Sequence, residues 1–234
     1  MDLHSNIARN LADARQRIRT AALGAGRRPE DVRLLAISKT FTLEHVRAAA
    51  AAGQEEFGEN RVQEALQKID GSADLKIRWH LVGTLQSNKV RKAVPRFSAI
   101  HSVDSVRLLQ AIDAAAADAR VSPELLVQVD LAGEATKHGA PPDEAREIVV
   151  AAARCRSARC VGLMTIPPFF DNPEDARPYF ARLAAFRAAL HAEGVDPAML
   201  RELSMGMSHD FDVAVQEGAT IVRLGTAIFG KRHA

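Results

Sequence analysis

Residues 32–42 read VRLLAISKTFT, an aliphatic run that ends in a lysine. Val32–Ser38 has the length and composition of a buried strand, with Pro29 ahead of it and helical periodicity from Leu43. Lys39 therefore leaves the carboxyl end of a strand, where α/β folds place their sites. A lysine desolvated there loses its proton more readily and attacks a carbonyl to form a Schiff base. The competing reading is an ordinary flanking lysine that snorkels to water. The rest of the chain decides between them.

The pattern repeats on both sides of this stretch. Apolar runs predict strands at Val32–Ser38, Ile77–Val82, Ala99–Ser102, Glu124–Asp130, Cys160–Thr165, Leu200–Ser204 and Thr220–Leu224, and a very short strand is read at Glu55–Phe57. Between them lie helical patterns, among them Leu43–Ala52, a stretch from Arg61, SNKVRKAV capped by Ser87, an alanine-rich helix capped by Ser105, and Pro142–Cys155. A long helix in DNPEDARPYFARLAAFRAALHAEG takes Pro178 in its first turn or as a kink, and His209–Glu217 supplies another. An additional helix, Asn6–Leu23, leads the chain. Eight strands alternating with helices imply right-handed parallel crossovers closing into a (β/α)8 TIM-type barrel. No linker or repeat divides the sequence, so residues 1–234 read as one domain.

Composition narrows the function. At 47% hydrophobic and 26% charged residues the chain has material for a large core, and its net charge of +2 gives no footprint for nucleic acid or membrane. The exception is 75–98, which carries Lys76, Arg78, Lys89, Arg91, Lys92 and Arg96 without one acid. A solvated face or an anionic small molecule accounts for it as well as RNA does. The two cysteines, Cys155 and Cys160, are too few for a zinc site and read as reduced structural thiols. The first residues lack the apolar core of a signal peptide, and the cytoplasm is the default location.

The polar residues that follow the strands point to a ligand. Gly225 and Thr226 lie between a strand and a helical turn, where free N–H groups suit a phosphate, and barrels often hold phosphate after strands seven and eight. Ser204, Gly206 and Ser208 add donors on the neighbouring strand. Arg223 alternates with Val222 and Leu224, so it points into the barrel and needs a partner there. An imine-forming lysine, a phosphate cradle and an inward arginine together are the requirements of pyridoxal 5'-phosphate (PLP). An arginine at the pyridine nitrogen keeps that nitrogen unprotonated. It favours proton transfer or simple carriage over demanding carbanion chemistry.

These residues resemble the pyridoxal phosphate homeostasis protein family, PLP-binding barrels related to the alanine racemase N-terminal domain. The resemblance rests on SKT at Lys39, FGENRVQE at 57–64, WHLVGTLQSNK at 79–89, HSVDS at 101–105, GLMTIP at 162–167, LSMGMSHDF at 203–211 and VRLGTAIFG at 222–230. It implies that Lys39 holds PLP as an internal aldimine, with Ser204, Ser208, Gly225 and Thr226 at the phosphate. It further implies Arg223 at the ring nitrogen and Asn60 beside the cofactor. Thr40–Phe41 and Asp130 depart from the family's usual proline and asparagine, and Asp130 brings a charge of open role.

The family has no established catalytic activity, and its members are regarded as buffering or delivering PLP. In the racemases a tyrosine from a second domain supplies the opposing acid/base. Here the sole tyrosine, Tyr179, sits in a predicted outer helix. His80, His101 and His209 fall near strand ends and are the remaining candidate bases. The resemblance implies a cytoplasmic monomer serving PLP-requiring apo-enzymes. A slow PLP-dependent racemase is one rival reading, and an RNA- or protein-binding module using 75–98 is the other.

Overall fold

Alternation along the first strand sets the two layers of the core. In the computed structural model, which describes residues 2–133 and 139–231, β1 spans Arg33–Ile37. Leu34 and Ala36 face the surrounding helices, while Leu35 and Ile37 face Val82, Leu126, Val161, Met164 and Ile221 inside the barrel. The same parity carries Arg33 to one end of the lumen and Lys39 to the other.

Seven further parallel strands complete the sheet: β2 (Glu56–Glu59), β3 (Arg78–Leu81), β4 (Ala99–Val103), β5 (Glu124–Gln128), β6 (Arg159–Met164), β7 (Glu202–Met207) and β8 (Ile221–Leu224). They pair in chain order, and β8 returns to β1 with Leu35 opposite Arg223, so the sheet is a closed barrel. The (β/α)8 expectation is met. Helices α1 (Leu3–Gly24), α2 (Leu43–Ala51), α3 (Val62–Gly71), α4 (Val90–Ala93), α5 (Val106–Ala119), α6 (Pro142–Ala152), α7 (Arg177–Ala192), α8 (Phe211–Gln216) and α9 (Thr226–Phe229) surround it.

The extra helix α1 begins where Asp2 accepts the Ser5 N–H at 2.8 Å. Its stripe of Ile7, Leu11, Ala14, Ile18 and Ala22 is buried against α2, α8 and α9, the helices flanking the β8–β1 seam. Burying each large aliphatic of that stripe is worth about 1.5–3 kcal/mol. Among the described residues, no helix is long and apolar enough to cross a membrane.

The amino mouth of the barrel is shut by charge. Arg33 bridges Glu56 at 2.9 Å and Glu202 at 3.0 Å. Arg78 bridges Glu56 at 3.0 Å and Glu124 at 3.5 Å, and Arg201 joins Glu124 at 2.7 Å to Glu202 at 3.4 Å. The six side chains form a closed circuit of alternating sign.

Several boundaries differ from expectation. β7 starts at Glu202, because Asp196 and Pro197 open a 3-10 turn over Pro197–Leu200 that takes up the aliphatic Leu200. α8 starts at Phe211 because Asp210 is occupied in the preceding turn, accepting the Met207 N–H at 2.6 Å. β2 runs on to Glu59, and β5 stops at Gln128. Ser87 does not cap a long helix; it opens a 3-10 turn, Ser87–Lys89, ahead of the short α4. Ser105 does cap α5, accepting from Leu108 N–H at 3.3 Å, and Pro178 lies in the first turn of α7, where no donor is missed.

Candidate functional site

The carboxyl mouth contains a cavity of about 250 Å³ whose wall includes Lys39, Asn60, Ser208, Arg223, Gly225 and Thr226. Six of the seven residues predicted for the site thus converge on one space, whose apolar lining is Ile37, Val82, Ile166 and Met207. A larger groove of about 600 Å³ lies at the opposite end, between α1 and the amino end of β1. Its Arg15 and Arg33 are already bound to backbone carbonyls and to acids, and it holds neither lysine nor cysteine.

Each wall residue is placed by the strand end that carries it. Lys39 follows β1 on its inward parity. Asn60 follows β2, and its backbone packs so closely on Gly83 that a Cβ there would stand 2.2 Å from the Asn60 oxygen. Ser208 follows β7 after Gly206, whose φ of +89° admits the sharp turn. The Ser208 hydroxyl accepts both the Gly225 and Ala227 N–H groups, each at 3.1 Å. Of the two N–H groups that the sequence pattern offered, that of Gly225 is therefore engaged. The Ser208 hydroxyl has its own proton left to give.

Ser204 lies a layer deeper than expected. It is fully buried, its hydroxyl accepts from Arg223 Nη1 at 2.8 Å, and it lies 2.9 Å from His101 Nδ1. Its contact is with the arginine rather than with the cavity. Arg223 also donates to the Thr165 carbonyl at 2.9 Å. Burial depresses its guanidinium to about 10, opposed by Asp210. Asp210, itself raised by burial, spends its carboxylate on the Met207 N–H. The protein partners of Arg223 are thus two neutral acceptors, the Ser204 hydroxyl and the Thr165 carbonyl.

The remaining candidates separate cleanly. His80 and His101 are sealed within the barrel and do not reach the cavity. His209 does line it, with Nε2 3.1 Å from the Asp171 carbonyl and its ring 5.4 Å from the exposed Phe169. Tyr179 packs on Phe170 in the helix layer, away from the cavity. Asp130 caps its own loop, accepting from Ala132 and Gly133 N–H at 2.9 and 3.1 Å. Of the basic stretch, Arg78 and Arg96 are engaged by acids. Cys155 and Cys160 are free thiols pushed up by burial to about 11 and about 12.

A closed (β/α)8 barrel with a lysine, an arginine and a serine-capped turn around one mouth is the class of protein that the fold and site define. Residues 5–233 match the family model described as the N-terminal domain of alanine racemase. The pyridoxal phosphate homeostasis protein of Aquifex aeolicus is 41% identical over 227 residues, covering 97% of this chain and 99% of the relative. The structure of PipY from Synechococcus elongatus with PLP bound matches at a TM-score of 0.85 and 40% identity, covering 96% of this chain and all of that one. An alanine racemase of Clostridium difficile matches in fold alone, at a TM-score of 0.75 and 15% identity, with 98% of this chain laid on 58% of the racemase. The chain belongs to the pyridoxal phosphate homeostasis protein family.

Proposed function

We propose that this chain binds PLP reversibly through Lys39 and buffers it or passes it to apo-enzymes, without turning over a substrate of its own. The observation that carries the reading is the convergence of Lys39, Arg223 and Ser208 on one cavity. When bound, PLP supplies an aldehyde with which a primary amine condenses reversibly, a C=N bond forming as water leaves. Lys39 is the primary amine of the cavity wall. Arg223 presents a permanent donor with no acid in contact, which suits an unprotonated pyridine nitrogen. The Ser208 proton, with the Gly225–Thr226 turn behind it, suits a phosphate oxygen.

In this reading the barrel acts as a single domain and a monomer in the cytoplasm. The relatives' names and the PLP-bound PipY structure support a holding role. The test is an absorbance spectrum with added PLP, followed by borohydride reduction and peptide mass mapping. A visible band converted to a pyridoxyl group on Lys39 is expected. A colourless protein that stays unlabelled refutes the assignment.

A second reading, slow amino-acid turnover, has one observation in its favour: His209 is an ionisable side chain on the same wall. It requires exchange of an amino acid's Cα proton with deuterated solvent, lost in Lys39→Ala. We expect no such exchange.

A further inference from the structure

The backbone on either side of Lys39 is held by a buried charge cluster that takes no direct part in the cavity. Lys68, on the inner face of α3 and almost fully buried, donates to the Ser38 carbonyl at 2.7 Å, to Glu59 Oε1 at 2.7 Å and to Glu64 Oε1 at 2.9 Å. The Ser38 hydroxyl donates to the same Glu59 oxygen at 2.6 Å. On the other side, the Thr40 N–H donates to Glu64 Oε1 at 2.6 Å. Residues 38 and 40 are thereby tied to one ammonium and two carboxylates, with Lys39 between them.

The tie opposes a strain. Thr40 has φ of +69°, a left-handed conformation that a β-branched residue adopts only when its surroundings impose it. The turn that carries it is closed by the Phe41 N–H donating to the Ser38 carbonyl at 3.1 Å, and the Thr40 N–H inside that turn is held by Glu64. Glu59 is wholly buried, and burial raises its carboxyl while Lys68 and Ser38 pull it down. Among the described residues, its Oε2 has no partner. A buried ion pair with an orphaned oxygen is a weak device for stability, since well-packed apolar side chains serve that end as well or better. Its position, wrapped around the nucleophile's own peptide units, gives it another role.

We infer that Lys68, with Glu59 and Glu64, is a positioning group for Lys39. The cluster fixes the turn after β1 so that the amine is delivered along the inward parity of the strand. The inference rests on Lys39 being the site of PLP attachment. Misplacing a reacting group by about 1 Å costs up to about 100-fold. A loosened turn should therefore appear in the rate at which Lys39 captures PLP and in the equilibrium affinity.

The experiment uses the whole chain with PLP as the probe. Wild type, Lys68→Met, Glu64→Ala and Glu64→Gln are compared by PLP titration of the visible band, by the rate of borohydride-trapped labelling of Lys39, and by thermal melting without PLP. Glu64 is partly exposed, so its variants keep the fold even where Lys68→Met does not. Glu64→Ala is expected to weaken PLP affinity and slow labelling about tenfold or more, with its melting close to wild type. Glu64→Gln keeps an oxygen for the Thr40 N–H and should recover most of the loss. Folded Glu64→Ala protein within twofold of wild type in both affinity and rate overturns the inference. Failure of the wild type to label at all would instead overturn the Lys39 assignment.

Discussion

Nδ1 of His80 lies 3.0 Å from Nε2 of His101, with both rings inside the barrel and out of reach of water. One direction of donation satisfies the row best. Arg223 gives to Ser204, Ser204 gives its proton to His101 Nδ1, and His101 Nε2–H gives to His80 Nδ1. Within that row, among the described residues, the buried His80 Nε2 alone then lacks a partner. Reversing the row would strand the serine proton as well. Both imidazoles are therefore neutral, and the row ends at the guanidinium under the cavity.

A pH dependence of stability follows. Burial, reinforced by Arg33 and Arg78, pushes His80 down to about 3, and burial with His80 and Arg223 holds His101 well below its usual value. An unfolded histidine protonates near about 6.5. Between these values the unfolded chain binds more protons. Stability is thus complete above about 6.5 and falls as the pH drops toward 3. Urea unfolding at pH 7.5 and 5.0 should show the loss before the carboxylates titrate, and His80→Asn should reduce it. Equal stability at the two pH values would contradict the neutral pair.

Lys39→Ala should keep the fold and lose the ligand. At 100 times its dissociation constant a ligand stabilises a protein by about 2.7 kcal/mol. We expect a PLP-induced rise in melting temperature for wild type and none for Lys39→Ala at the same concentration. A full rise in the variant would place attachment elsewhere.

Ser208→Ala removes the acceptor shared by the Gly225 and Ala227 N–H groups. The expected loss is about 1 kcal/mol of stability, as for a missing helix cap. PLP affinity should fall with it. Pyridoxal, which lacks the phosphate, should bind wild type and variant alike; a parallel loss for pyridoxal would separate Ser208 from the phosphate.

Gly206→Ala is the severe change. Its Cβ would lie 2.5 Å from that of Ala214, at a φ of +89°. Overpacking and backbone strain each amount to about 1–3 kcal/mol. A drop in the urea midpoint is expected, together with weakened PLP binding through the displaced Ser208. A variant as stable as wild type would show that the end of β7 yields.

The barrel was legible because most strands are short aliphatic-rich runs, as in RLLAI of β1 and ELLVQ of β5, and they alternate with helices at regular spacing; β2, EFGE, gave only a weak signal. Leu200 misled because an aliphatic residue before a strand looks like its first member, while the Asp196–Pro197 pair that diverts it is only a local turn signal. Convergence at the mouth was legible for residues that directly follow strands, since parity and strand ends fix their direction. Ser204 was not. Its burial depends on β7, β8 and β4 meeting across the closed lumen, a relation that no local spacing encodes. Lys68 was invisible for another reason: paired with Glu64 four residues earlier, it reads as an ordinary solvated helix pair. Only the docking of α3 turns that pair inward onto the residues flanking Lys39.

The circuit of Arg33, Glu56, Arg78, Glu124, Arg201 and Glu202 has a consequence for traffic. With that end plugged and the aliphatic layer packed above it, the barrel is a blind-ended vessel. Whatever enters at Lys39 must leave by the same opening. Under the proposed carriage of PLP, loading and unloading would share that one opening, and the rate of any hand-over would be bounded by how long it stays clear.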